Sequence, residues 1–257
     1  MMVDNKALKG LKNEIDFVKN FNQYSDKLLL RKMKISENDV FAVHLNSMIY
    51  SEYHKKKIYP KSDICLVKNL LNKDLLITED FYLSDNSQLL KDNFNDLYIP
   101  NSGISIKLKT NKYTIHKMGP TFFNNVFKNP ELGAGSSIYC MKIEEIKKNE
   151  QIYKAWGTSE EEVQSYFNNA FQQTLNLKKL DDLKRIKSFS NERIKALIKG
   201  DDLITDLIFK GKYCDDPYSA NWIYDQKGFR KIDTTEEFKI TTGSGRSRGD
   251  YTIVIKP

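Results

Sequence analysis

Cysteine is scarce in this chain: Cys65, Cys140 and Cys214 are the only three in 257 residues, and no two stand at metal-ligand spacing. An odd number so widely spread makes a disulfide framework implausible and points to a reducing cytoplasm. Histidine is equally sparse, and the scatter of His44, His54 and His116 excludes a histidine-rich zinc centre. No run of about 18 apolar residues occurs, so no membrane span is expected. The opening MMVDNKALKGLKNE lacks the apolar core of a secretory signal. Internal repeats, low-complexity tracts and a clean linker are also missing.

What is present suits an ordinary globular protein. Hydrophobic residues make up 40% and charged residues 29% of the chain, enough for a sizeable core. Lysine and arginine total 41 against 34 acids, a net charge of +7. That excess serves solubility, and it also favours a polyanionic partner, because lysines on phosphates release condensed counterions.

Leu8, Leu11, Ile15, Val18 and Phe21 recur at three and four, one face of an amphipathic helix, with Glu14 beside the stripe. Val40 to Ile49 reads as a short element. Ile58 to Val67 reads as a strand with Pro60 early in it, and Gly103 to Lys109 as another, alternating and β-branched. Residues 121–150 mix asparagine, glycine and proline and read as loops, with a helix near 142–149. A helical block follows from Ser159 to Lys199, with Val163, Phe167, Ala170, Phe171 and Leu175 on one stripe. Leu203 to Phe209 continues it or forms a strand. Trp222–Tyr224, Phe238–Thr241 and Tyr251–Ile255 read as strands between glycine-containing turns. The simplest account is one α/β domain over residues 1–257, a central mixed β-sheet flanked by helices, with a helical segment around 159–200.

Cutting a phosphodiester requires a positioned water, stabilisation of a pentacovalent oxyanion and help for the departing oxygen. Mg²⁺ held by carboxylates supplies most of this, and a lysine near the phosphate orients the water and neutralises developing charge. Asp63 and Lys107 offer such parts, each on an expected strand. Ser105 and Lys107, two apart, face one side of theirs. Taken alone, these residues equally suit solvated strand positions.

Their neighbours say more. PKSDICL followed by GISIKLKTNK resembles the metal-binding core of PD-(D/E)XK nucleases, and more narrowly the small type II restriction enzymes of the MspI and HinP type that cut four-base-pair palindromes. GLKNEIDFVKNF is similar to the opening helix of that group. LITDLIFKGK and GSGRSRGDYTIVIK resemble its late strands and recognition segment, so the likeness runs in order along most of the chain. It implies a restriction-endonuclease-like fold, Mg²⁺ as cofactor, double-stranded DNA as partner and a monomer or homodimer. Asp63 would bind the metal, Lys107 support the attacking water, and Ser105 assist the metal shell. Two departures stand out. Ser105 replaces the acid of the general pattern, and the interval from Asp63 to Lys107 is long, implying an insertion around 69–100. Glu14 on the first helix is the carboxylate that could complete the shell, with Asp16, two residues away, off that helix face.

For reading DNA, the glycine-rich run from Thr242 to Asp250 offers Arg246 and Arg248, which suit bidentate pairing with guanine or a phosphate; a solvated hairpin is the plainer alternative. It gives residues 203–257 the character of a recognition segment. Lys109, Asn111 and Lys112 suit positioning contacts to the phosphate backbone. His116 reads as structural, the run His54–Lys57 as a solvated face, and Trp222 and Tyr224 as core. The expectation is a type II site-specific deoxyribonuclease. The alternatives are a repair nuclease of the same superfamily and a DNA-binding protein that has lost its activity.

Overall fold

The first helix follows from its apolar spacing: Val18 and Phe21 are buried, Phe17 packs on the same core, and Leu11 is 43% exposed. The computed structural model describes residues 5–24, 27–35, 40–51, 56–68, 73–78, 80–83, 97–107, 112–140, 146–211, 216, 218–243 and 249–255. In chain order its elements begin with α1 (Asn5–Tyr24), α2 (Lys27–Met33), β1 (Val40–Leu45), β2 (Ile49–Ser51), β3 (Lys56–Ile58) and β4 (Ile64–Lys68). Next come α3 (Lys73–Thr78), β5 (Tyr82–Leu83), β6 (Ile104–Ile106) and β7 (Tyr113–Met118). Then follow α4 (Pro120–Phe127), α5 (Pro130–Ile138), α6 (Ile146–Trp156), α7 (Glu160–Phe171), α8 (Leu180–Lys199) and α9 (Asp202–Lys210). The last are β8 (Trp222–Asp225), β9 (Gly228–Lys231), β10 (Phe238–Thr242) and β11 (Tyr251–Ile255). The chain divides into two compact units, one from residues 1–113 and 206–235, the other from 114–205 and 236–256.

The first unit is α/β, with a mixed six-stranded sheet in the order β5-β1-β4-β6-β8-β9. β1 runs antiparallel to β4 from Val40↔Lys68 to His44↔Ile64 and parallel to β5. β6 is antiparallel to β4 and parallel to β8, and β8 and β9 form a hairpin. Strand alternation sorts the core into two layers. Val40, Ala42, Ile64, Leu66, Ile104 and Ile106 pack with Val18, Phe21, Leu29 and Leu30 from α1 and α2. Val43, Leu45, Cys65 and Val67 pack instead with Ile49, Ile58 and Tyr218. Asp225, buried at the end of β8, accepts from the Tyr113 hydroxyl at 3.0 Å and the Arg230 guanidinium at 2.8 Å, which fixes the hairpin.

Several sequence expectations need correction here. The strand expected over Ile58–Val67 is two strands, because Pro60 has no N–H to give and the next two amides, Lys61 and Ser62, both donate to the Tyr218 carbonyl. The strand expected over Gly103–Lys109 has its ladder at Ile104–Ile106, with residues 108–111 outside the described residues. The interval around 69–100 contains α3 and the edge strand β5. Leu203–Phe209 is helical: after Gly200, the Asp201 carboxylate accepts from the amides of Leu203 and Ile204 and starts α9. The likeness of LITDLIFKGK to a late strand therefore does not extend to its conformation. Tyr224, expected in the core, is 37% exposed, whereas Trp222 is buried and stacks on Phe229.

The second unit corrects the loops expected over 121–150. Gly119-Pro120 and Asn129-Pro130 are helix starts, with proline pre-set in the first turn and the Asn129 side chain accepting from the Leu132 amide. α5 is buried from Leu132 to Ile138. Its glycines act as packing sites: a Cβ on Gly133 would lie 2.2 Å from Trp156, and one on Gly135 would lie 2.1 Å from Phe167. The Tyr251 hydroxyl donates to the Gly133 carbonyl at 2.8 Å, tying α5 to the sheet β10-β11-β7. α7 opens on a capping box between Ser159 and Glu162 and ends at Phe171, so Leu175 is buried beyond the helix.

One side-chain clamp in the first unit seats α1 on β1. The Asn22 amide donates to the Ala42 carbonyl at 3.0 Å and its oxygen accepts from the Ala42 N–H at 2.8 Å. It pairs the edge of β1 at Ala42, where among the described residues β5, paired at His44 and Leu45, does not reach. Asn22→Ala leaves both Ala42 groups without that partner and is expected to cost about 1–3 kcal/mol. Asn22→Asp keeps the acceptor but sets a carboxylate against a carbonyl, and is expected to cost at least as much. Urea unfolding of the full chain reads both; an unchanged midpoint for Asn22→Ala would remove the clamp from the account.

Candidate functional site

The site is built where β4 meets β6. Asp63 immediately precedes β4 and Lys107 immediately follows β6, each one residue outside the strand that was expected to carry it. The sheet hydrogen bonding nevertheless runs on through both. The Asp63 N–H donates to the Ile104 carbonyl at 2.8 Å, and its carbonyl accepts from the Leu45 N–H at 2.9 Å. The Lys107 N–H donates to the Tyr224 carbonyl at 2.9 Å. Backbone pairing on three strands thus holds both residues.

The side chains converge on one oxygen. Asp63 Oδ2 accepts from the Ile106 N–H at 2.6 Å and from the Ser105 hydroxyl at 3.1 Å. Lys107 Nζ lies 3.9 Å from it, ion-pair distance but too long for a good hydrogen bond. Ser105 is buried, while Asp63 and Lys107 keep about a quarter of their side-chain surface. The four residues Glu14, Asp63, Ser105 and Lys107 belong to the same compact unit.

Glu14 arrives from α1. Its Oε2 lies 2.7 Å from His44 Nε2, and His44 is 6% exposed on β1, in register with Ile64. Asp16 is exposed. Sequence reasoning passed over His44, yet a signal was there: in the strand VFAVHL it alternates with Val40 and Ala42, which face α1. Lys112 is exposed, and Lys109, Asn111, Arg246 and Arg248 lie outside the described residues. His54 lies outside them too, and Lys57 is exposed.

The electrostatics follow from this placement. Burial pushes the Asp63 carboxyl above the ordinary carboxylate range. Lys107 pulls against that, the negative charge of Glu14 adds to it, and the Ile106 amide and Ser105 hydroxyl pull down by less. At Asp63, then, burial and the charge of Glu14 disfavour the carboxylate, and Lys107 opposes them. Among the described residues, no group of three or more His, Cys, Asp or Glu side chains is arranged to hold a metal. Mg²⁺ does not require one, since it keeps several waters and uses one or two carboxylates. Asp63 and Glu14 carry the hard oxygen donors that such an ion takes, the one beside Lys107 and the other bonded to His44.

The sequence matches no protein-family model and no curated protein.

The raised carboxyl has a consequence for stability. The folded state holds the Asp63 proton to higher pH than the unfolded chain does, so this residue's contribution is full below the ordinary carboxylate range and is lost as pH rises through the folded value. Asp63→Asn keeps an acceptor for the Ile106 amide and abolishes that loss. In chelator, the variant is expected to gain stability relative to wild type as pH rises from about 4 to about 8. Parallel melting-temperature profiles across that range would show that the buried carboxylate carries no such penalty.

Proposed function

We propose that the protein is a magnesium-dependent endonuclease that hydrolyses double-stranded DNA at a short, palindromic site, in the manner of the type II restriction enzymes of the PD-(D/E)XK kind. The observation that carries this reading is the convergence of Asp63, Ser105 and Lys107 at the β4–β6 junction, with Glu14 brought within electrostatic range from α1. The motif order from PKSDICL through GISIKLKTNK supports it, as does the net charge of +7.

Each residue has a part that its geometry allows. Asp63 and Glu14 would hold Mg²⁺, which supplies Lewis-acid charge to the phosphate and lowers the pKa of a bound water. The Lys107 ammonium, kept near Asp63 by the Tyr224 backbone bond, neutralises charge developing on the attacked phosphate and orients the water. Ser105 adds no charge; its hydroxyl fixes the orientation of the Asp63 carboxylate. Lys109, Asn111 and Lys112, just past the catalytic strand, would track phosphates, and Arg246 and Arg248 would read base edges.

Asp63→Ala and Lys107→Ala are each expected to abolish cleavage of plasmid DNA in Mg²⁺ while the circular dichroism spectrum stays native. DNA binding in Ca²⁺ should survive the lysine change, because Lys107 acts on the chemical step. Discrete fragments from the wild-type digest mark a restriction enzyme, whereas attack at ends or forks marks a repair nuclease. Binding without metal-dependent turnover marks a protein that has lost its chemistry. Near wild-type rates from either variant would refute the site.

The role of Glu14 is tested separately. Glu14→Gln is expected to lower the rate by orders of magnitude, whereas Asp16→Asn, on an exposed position of the same helix, should do much less. Equal, mild effects of the two changes would return Glu14 to a surface role and leave Asp63 as the only protein carboxylate of the site.

A further inference from the structure

A second charged cluster lies along the face of the sheet that carries Ser105 and Lys107. Ser105 pairs with Ile223 of β8, and Ile223 pairs in turn with Arg230 of β9. Directly paired residues point to the same face, so Ser105, Ile223 and Arg230 form one row across three strands. The next row begins with Lys107. Its N–H bond to the Tyr224 carbonyl continues the parallel ladder by one step and sets Lys107 level with Asp225. Two strand spacings put the Arg230 backbone about 10 Å from that of Ser105. From there the Arg230 side chain reaches diagonally into the Lys107 row: its Nη2 donates to Asp225 Oδ2 at 2.8 Å and to the Tyr113 hydroxyl at 3.3 Å. The Asp225 side chain is 1% exposed, whereas Arg230 keeps 23% of its side-chain surface, as Lys107 does. All of these residues belong to the same compact unit.

We infer that Arg230 is a substrate-binding residue of the same site: its guanidinium takes a backbone phosphate flanking the one attacked beside Lys107, and Asp225 and Tyr113 are the positioning residues that hold it there. The inference rests on the nuclease reading for the substrate and on the strand register for the placement. A guanidinium carries five donors in a planar fork, and a phosphate accepts from two of them at once. A buried acid bonded to one nitrogen of that fork sets its plane before DNA arrives, so less side-chain freedom is lost on binding. Asp225 is itself held, because its other oxygen accepts from the Lys227 N–H at 2.9 Å in the β8–β9 turn. A well-packed apolar pair would close the hairpin without the desolvation that an ion pair costs. It could not present a cation one strand beyond Lys107 on the face where the phosphate is attacked.

The experiment titrates a fluorescent DNA duplex of arbitrary sequence with the full chain in Ca²⁺ at several salt concentrations. Arg230→Gln is expected to weaken binding about 10-fold, alike for all sequences, and to lower the salt slope by about one unit. That change alone strands the buried Asp225 charge and can unfold the protein. The double variant Asp225→Asn/Arg230→Gln keeps a neutral, hydrogen-bonded pair, and it is expected to bind as weakly as Arg230→Gln while its urea midpoint stays near that of wild type. On plasmid DNA in Mg²⁺ the double variant should raise KM about 10-fold with kcat little changed, whereas Lys107→Ala loses kcat. Mere loss of folded enzyme would lower kcat and leave KM alone, and that pattern overturns the inference. If neither glutamine variant folds, Arg230→Lys decides, since it keeps the charge and loses the fork: weaker binding at an unchanged salt slope supports the inference, and wild-type affinity overturns it. A folded double variant that binds as wild type does would remove Arg230 from the site, and cleavage by the wild type would then leave the nuclease reading standing. Arg230-dependent binding with no cleavage would instead sink the nuclease reading and keep the phosphate contact. No binding of DNA by the wild type overturns both.

Discussion

Asp63 is the residue on which the first unit turns. Its N–H, its carbonyl and its side chain each bond a different position on β6 or β1, so one residue joins the strands on either side of β4. A backbone group buried without a partner is costly, and here each one is matched. The same matching fixes the side chain: the Ile106 N–H at 2.6 Å leaves Oδ2 no freedom to wander. The candidate site is therefore as rigid as the sheet itself. A constellation set on strands and locked by backbone donors is the arrangement that precise chemistry requires.

That rigidity is combined with an electrostatic conflict. Burial raises the Asp63 carboxyl, with the charge of Glu14 adding to that and Lys107 at 3.9 Å pulling against it. Sequences selected for stability alone would remove such a conflict, since a buried charge without full compensation destabilises the fold. Burial and the backbone hydrogen bonding around Asp63 separate this cluster from the ordinary ion pairs of the surface. Lys195 and Glu237, for comparison, meet at 2.7 Å with the glutamate 71% exposed, and Lys195 together with Lys199 merely holds that carboxyl low, at about 2.

Much of this was legible in the sequence, for physical reasons that differ from residue to residue. Asp63, Ser105 and Lys107 could be read because strand periodicity and motif order are local properties, and pairing of neighbouring strands then brings them together. The extent of each strand could not, because it depends on distant partners: the Tyr218 carbonyl takes the amides that would have continued β4 backward past Ser62. Glycine misled in α5. Gly133 and Gly135 look like breakers in a local reading, yet their role is to let Trp156 and Phe167 approach the helix axis, a constraint visible only once the other helices are in place. His44 was passed over because its alternation with Val40 and Ala42 gives its face of the strand but not its partner, Glu14, which lies thirty residues away.

The serine at position 105 is best understood from the charge balance. An acid there would be a further carboxylate beside Asp63, with Lys107 the only cation among the described residues within ion-pair distance of it. Ser105 is almost fully buried, so the charge would carry a desolvation cost as well. A hydroxyl in its place contributes a donor where an acid would contribute repulsion, and it steadies Asp63 at 3.1 Å. The Glu14 carboxylate on α1 is mostly buried and bonded to His44. Strand and helix thereby divide the work: β4 and β6 fix one carboxylate through backbone groups, and β1 fixes the other through an imidazole. Asn22 at Ala42 and Glu14 at His44 together seat α1 on β1, so the helix that carries Glu14 is held to the same sheet that carries Asp63.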